Sequence, residues 1–272
     1  EGVLLFDGSG EIPDYSESSL APWFSKRAKI LSVVVRPGVT SIGSYAFYAC
    51  LKMTSAALPE GLKSIGHCAF EDCTKLEKVD IPDGVTSIGS YAFTNCDRLS
   101  DLRLPGGLET VGEYAFSGCC SLEGVVLPAG MKTVGPYAFS DCQALEEVVI
   151  SGGDTAIDAA AFSGCAVLTV LYYGGSDEQW TRWLAINSQD DWHPLADAQV
   201  ITGFAVGNLN GQGEEPDAAD VQCLYEYLAT GEMTGRYKDS PMAFEAAANV
   251  NGVGGVDVYD LQRLYERAAK IA

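Results

Sequence analysis

One phrase, repeated six times, constrains what this chain can fold into. Its clearest copy is GVTSIGSYAF at residues 84–93, followed by TNCDRLSDLRLP at 94–105. The aromatic residue of the phrase recurs as Phe47, Phe70, Phe93, Phe116, Phe139 and Phe162, each step being 23 residues. A cysteine follows three positions later every time, giving Cys50, Cys73, Cys96, Cys119, Cys142 and Cys165. A fixed period of this size predicts a solenoid, because one short repeat cannot bury its apolar face alone and neighbours must stack to make a core.

Each copy contains a run of the form L-x-x-V-x-I-P, as in Leu76, Val79, Ile81 and Pro82. Its inward residues alternate with outward ones, as in a half-buried strand. Pro37, Pro59, Pro82, Pro105 and Pro128 end these strands, because proline cannot donate to a ladder. An apolar pair (Val85 and Ile88 in the clearest copy) and a turn glycine at 43, 66, 89, 112 or 135 come next. A column of alanines at 46, 69, 92, 115, 138 and 161 then leaves room for the neighbouring phenylalanines. The sixth copy decays: Asp158 replaces the glycine, Ala160 the usual tyrosine and Ser151 the proline.

The flanks read as caps, which a solenoid needs to cover its apolar ends. Residues 1–29 bring Trp23 and Phe24 just before the first strand-like run, Ile30 to Val35. Residues 172–202 break the period, and Trp180, Trp183 and Leu184 are spaced for one face of a helix. The cysteine column reads as buried free thiols, because parallel Cβ vectors on adjacent turns do not suit a disulfide.

Composition narrows the function. A formal net charge of -20 excludes non-specific binding to nucleic acid or anionic membrane, both of which need a basic patch. No apolar run reaches the ~20 residues a membrane-spanning helix requires. The chain starts at Glu1, not Met, as expected of a mature or trimmed secreted form. There are two histidines, His67 and His193. His67 precedes Cys68 in a turn, but adjacent residues point apart; His193 sits beside Trp192 in the cap and reads as structural. No phosphate loop, C-x-x-C pair or nucleophile elbow is present, so a non-catalytic protein is expected.

A solenoid offers an extended surface instead. The outward strand residues form two columns. One is Ser55, Lys78, Asp101, Gly124, Glu147 and Val170; the other is Ala57, Asp80, Arg103, Val126, Val149 and Tyr172. Val126, Val149, Val170 and Tyr172 are expected to make an exposed apolar stripe. Such a stripe marks either a binding site or simple β-propensity in a surface strand.

A hinge near Gly203–Val206 leads to a second internal repeat. NLNGQGEEPDAADVQCLYEYL at 208–228 and NVNGVGGVDVYDLQRLYERA at 249–268 share an N-x-N-G-x-G start. Each runs on through an aspartate to apolar residues at helical spacing, Leu224 and Leu228 in one and Leu261, Leu264 and Tyr265 in the other. Alternating oxygen-bearing residues around a glycine are what a Ca²⁺ loop needs. Degenerate loops with aspartates acting as helix N-caps are the competing reading.

Two resemblances follow. The GVTSIGSYAF phrase, its trailing cysteine and the L-x-x-V-x-I-P strand resemble the BspA-type leucine-rich repeats of bacterial surface proteins. GSGEIPDY, APWF and YYGGSDEQW resemble the flanks of such arrays. This covers roughly residues 1–202. The implied fold class is α+β: a leucine-rich-repeat solenoid of six repeats (30–171) between an N-terminal cap (1–29) and a C-terminal cap (172–202), then a small helical domain (203–272).

The tail resembles a dockerin, the module that plugs into the cohesins of cellulosome scaffolds. That resemblance implies Ca²⁺ ligands at Asn208, Asn210, Gln212 and Asp220, and at Asn249, Asn251, Asp257 and Asp260. It implies cohesin contacts at Ala218, Ala219, Tyr225 and Glu226 from one unit and Val258, Tyr259, Tyr265 and Glu266 from the other. The pattern departs at position one, which is Asn in both loops. The first loop also carries an extra residue before Asp220, and residues 233–246 are an insertion. The expected function is that of a secreted interaction protein, attached to a scaffold or cell surface by its tail and presenting its repeat face to a protein or polysaccharide. The alternatives are a free-standing adhesin with a stabilising Ca²⁺ module and a hydrolase with an unrecognised carboxylate site.

Overall fold

A computed structural model of the chain describes residues 2–187, 198–202, 223–224 and 247–248. Among these, two series of strands alternate along the chain. The longer series is β1 (Val3–Phe6), β3 (Ser32–Val35), β5 (Ser55–Ala57), β7 (Lys78–Asp80), β9 (Asp101–Arg103), β11 (Gly124–Leu127), β13 (Glu147–Ile150), β15 (Val170–Tyr173) and β16 (Gln199–Thr202). The shorter series is β2 (Gly10–Ile12), β4 (Val39–Ile42), β6 (Ser64–Ile65), β8 (Ser87–Ile88), β10 (Thr110–Val111), β12 (Thr133–Val134) and β14 (Ala156–Ile157). One helix, α1 (Asp177–Asn187), lies between β15 and β16.

All the pairings between these strands are parallel, and inside the repeat the register advances by one period: Ser55 lies opposite Lys78, and Lys78 opposite Asp101. The longer series forms two sheets, β1-β3-β5-β7-β9 and β11-β13-β15-β16. The shorter series forms one continuous sheet of seven strands. This second sheet is not anticipated by the sequence, where its strands read only as an apolar pair. The caps extend the sheets: Val3 pairs with Ser32, and Val170 with Gln199.

The core is a stack of columns. The six phenylalanines are all 0% exposed. From Phe70 onward their rings stack nearly parallel, with centroids 5.0–5.4 Å apart. The backbone joins the stack turn by turn, because the N–H groups of Phe47, Phe70, Phe93, Phe116 and Phe139 each donate to the alanine carbonyl of the next turn, as from Phe93 to Ala115 at 2.7 Å. The cysteines close the column with a second bond: Cys73, Cys96, Cys119, Cys142 and Cys165 each donate a thiol proton to the carbonyl of the phenylalanine 26 positions earlier, at 3.1–3.4 Å.

The strand-ending prolines start tight turns, since Pro59, Pro82, Pro105 and Pro128 each accept from the amide three residues on. The glycine column has a different basis from the expected turn conformation. A Cβ on Gly112 would meet the Ser90 nitrogen at 2.5 Å, and one on Gly89 would meet the Gly66 carbonyl carbon at 2.8 Å. Glycine is required there by the close approach of one turn to the next.

Both ends are sealed by indoles. Trp23 packs edge-on against Phe6 at 4.8 Å, and its N–H donates to the Ala46 carbonyl at 2.7 Å. At the far end Trp180 is buried, stacks on Trp183 at 4.9 Å, and Trp183 donates to the Ile157 carbonyl at 3.1 Å.

Candidate interaction face

The outward side chains of the longer strand series change character where that series changes sheet. On β5, β7 and β9, residues Ser55, Ala57, Lys78, Asp80, Asp101 and Arg103 are all exposed. The ladder register brings Lys78 to 3.2 Å from both Asp80 and Asp101. These two carboxylates raise the Lys78 ammonium above its ordinary range, Asp101 contributing most. Beside the row lies a cleft of about 180 Å³ that includes Asp80, Arg103, Glu60 and Leu104. Small-molecule sites run to about 300–1,000 Å³, so this cleft is better sized for one projecting side chain of a larger partner.

On β11, β13 and β15 the expected exposed apolar stripe is not open surface. Val149 is 0% exposed and Tyr172 is 7% exposed, while Val126 and Val170 are half-buried. Gly124 of the other column is buried too. Strand pleating places these residues outward, yet Val149 and Tyr172 are buried.

A second surface feature runs along the turns. Tyr91, Tyr114 and Tyr137 stack at 4.8–4.9 Å between centroids. The second repeat has Cys68 where the first, third, fourth and fifth have tyrosine, and the His67 ring fills the gap. It lies 5.4 Å from the Tyr45 ring and 5.6 Å from the Tyr91 ring, with the Tyr45 hydroxyl 3.4 Å from Nε2. Tyr45 and Cys68 both have positive φ, so the backbone is left-handed at this slot whichever side chain occupies it. Cys68 is buried, and burial is the main reason its thiol is pushed up to about 12. In this geometry the His67 ring packs in the tyrosine row between Tyr45 and Tyr91. Burial likewise raises the thiols of Cys73, Cys96 and Cys119.

The tail residues assigned from sequence lie outside the described residues. These are Asn208, Asn210, Gln212, Asp220, Asn249, Asn251, Asp257 and Asp260 for Ca²⁺, and Ala218, Ala219, Tyr225, Glu226, Val258, Tyr259, Tyr265 and Glu266 for cohesin; His193 lies outside as well. Residues 223–224 and 247–248 are helical, with Leu224, Ala247 and Ala248 0% exposed. No helix among the described residues is long and apolar enough to cross a membrane.

Comparison with known proteins agrees with this architecture. The T. pallidum leucine-rich repeat protein is 27% identical, with 67% of this chain and 90% of that chain covered at a TM-score of 0.51. The pneumococcal vaccine antigen PcpA shares the fold at 21% identity and a TM-score of 0.53, covering 63% of this chain but 41% of that one. No curated protein matches the chain. Residues 24–172 match the BspA type leucine-rich repeat region in six copies. With its phenylalanine and cysteine columns in register through all six copies and its glycine column through the first five, the chain belongs to the BspA-type leucine-rich-repeat family.

Proposed function

We propose that this is an extracellular, non-catalytic binding protein, held on a scaffold or cell surface by its C-terminal tail, with the repeat sheet turned toward a protein partner. The observation that carries the reading is the exposed row Lys78, Asp80, Asp101 and Arg103, fixed by the parallel register on a packed core. Alternating charges at set spacing give a partner specificity more than raw affinity, which suits a recognition surface. The tail supplies attachment through its two N-x-N-G-x-G loops, which resemble those of a dockerin. Their asparagine-rich ligand set has fewer carboxylates than a strong Ca²⁺ site, so calcium is bound weakly there.

The two loop units carry different contact residues, Ala218 and Ala219 against Val258 and Tyr259, so one unit meets the cohesin. The bulkier second unit is assigned that role. The double change Val258→Ala with Tyr259→Ala tests it: cohesin binding is expected to vanish while the circular-dichroism spectrum is unchanged. Undiminished binding would refute the assignment.

A further inference from the structure

Val148 and Ile150 of β13 point into the solenoid core, so Val149 between them stands on the opposite face. Its row neighbours in register are Val126 and Tyr172. Neighbours in a row shield the flanks of a side chain, not its tip. Asp80 shows this two strands before the sheet break: it is flanked by Ala57 and Arg103 in the same way, yet its side chain is 80% exposed. Row packing therefore does not bring Val149 to 0% exposure. A further layer lies over β13 and β15.

That layer is within the chain itself, since the burial is complete in a single copy. Val149 and Tyr172 lie outside the continuous solenoid core, and so do Leu224, Ala247 and Ala248 of the tail, which are just as inaccessible. The chain leaves the solenoid at the right place: β16 lies beside β15, with Ile201 opposite Tyr172 and Thr202 opposite Tyr173. From Thr202 to Leu224 the connecting segment could span up to roughly 3.3 Å per residue, whereas strands are only about 4.8 Å apart. The tail can therefore reach every strand of this sheet.

We propose that the tail packs on its own repeat domain through the helical residues at 223–224 and 247–248, covering the stripe that includes Val149 and Tyr172. The second half of the repeat face is then an internal interface, and only the charged half on β5, β7 and β9 is free for a partner. This holds whatever the tail binds.

The test is thiol labelling of the full chain, read site by site by mass spectrometry. Two single variants are compared, Val149→Cys and the outward control Arg103→Cys, with native Cys96 as the marker of an intact core. The Val149→Cys thiol is expected to label about a hundredfold more slowly than the Arg103→Cys thiol, because it reacts only on local opening. Adding Leu224→Asp should bring the two rates within about threefold while Cys96 stays unlabelled. Equal rates in the two single variants would overturn the proposal. Protection that disappears on dilution would assign the cover to a second copy and overturn it too, as would protection indifferent to both dilution and Leu224→Asp. Should Val149→Cys itself expose Cys96, Tyr172→Cys reads the same interface.

Discussion

The thiol of Cys96 donates to the carbonyl of Phe70 across 3.4 Å, linking two turns whose rings stack directly behind that bond. The same carbonyl also accepts the Cys73 amide at 3.2 Å, so it keeps a partner if the thiol is lost. Cys96→Ala should therefore destabilise by about 1–2 kcal/mol, the cost of a small cavity plus one weak bond, with no buried orphan. Urea unfolding measures this, and a loss above about 4 kcal/mol would mean the column bears more than is assigned to it.

Phe93 is stacked between two nearly parallel rings, 5.0 Å from Phe70 and 5.2 Å from Phe116. Phe93→Ala removes both contacts and should cost about 3–5 kcal/mol. Stability in a repeat array depends on neighbouring interfaces, so the loss should also broaden the unfolding transition. A sharp transition with an unchanged midpoint would contradict the stacked core.

His67→Ser restores the small residue that Ser44 and Ser90 supply in adjacent copies, yet it should destabilise by roughly 0.5–1.5 kcal/mol by opening a gap in the ring row. Cys68→Tyr added to that variant should recover the loss, since the left-handed slot then carries the ring found in neighbouring turns. Thermal melts of the single and double variants decide this. A double variant weaker than the single would show that His67 is not a ring substitute.

Glu71 is half-buried beside Cys68, and burial raises its carboxyl above the ordinary glutamate range, partly offset by a bond from the Cys68 thiol. The folded state thus holds this proton to higher pH than the unfolded chain does, and stability falls as pH rises from the unfolded value, about 4.3, through the folded one. Glu71→Gln removes that loss. The variant should match the parent below about pH 4 and exceed it at pH 7; the reverse order in pH-dependent urea unfolding would contradict the burial of this carboxyl.

Much of this architecture is legible in the sequence because its period never slips. The Phe47-to-Phe162 column, the alanines beside it and the Leu76, Val79 and Ile81 pattern each follow from counting in steps of 23. The second sheet is not legible, because two-residue strands such as Ser87–Ile88 carry no alternation to detect. His67 aligns with Ser44, Ser90, Glu113 and Pro136 in sequence, whereas its ring occupies the tyrosine row; only its ring contacts to Tyr45 and Tyr91 reveal the exchange. The burial of Val149 and Tyr172 is hidden for another reason. A strand pattern separates inward from outward positions but carries no information on a layer contributed from elsewhere in the chain.

Attachment through the tail is read by titrating the full chain against a panel of cohesin modules, first with Ca²⁺ and then with a chelator. Tight binding to one cohesin class, lost on chelation, is the expected result. Silence across the panel with Ca²⁺ present would contradict the claim and leave a repeat protein whose tail serves its own sheet.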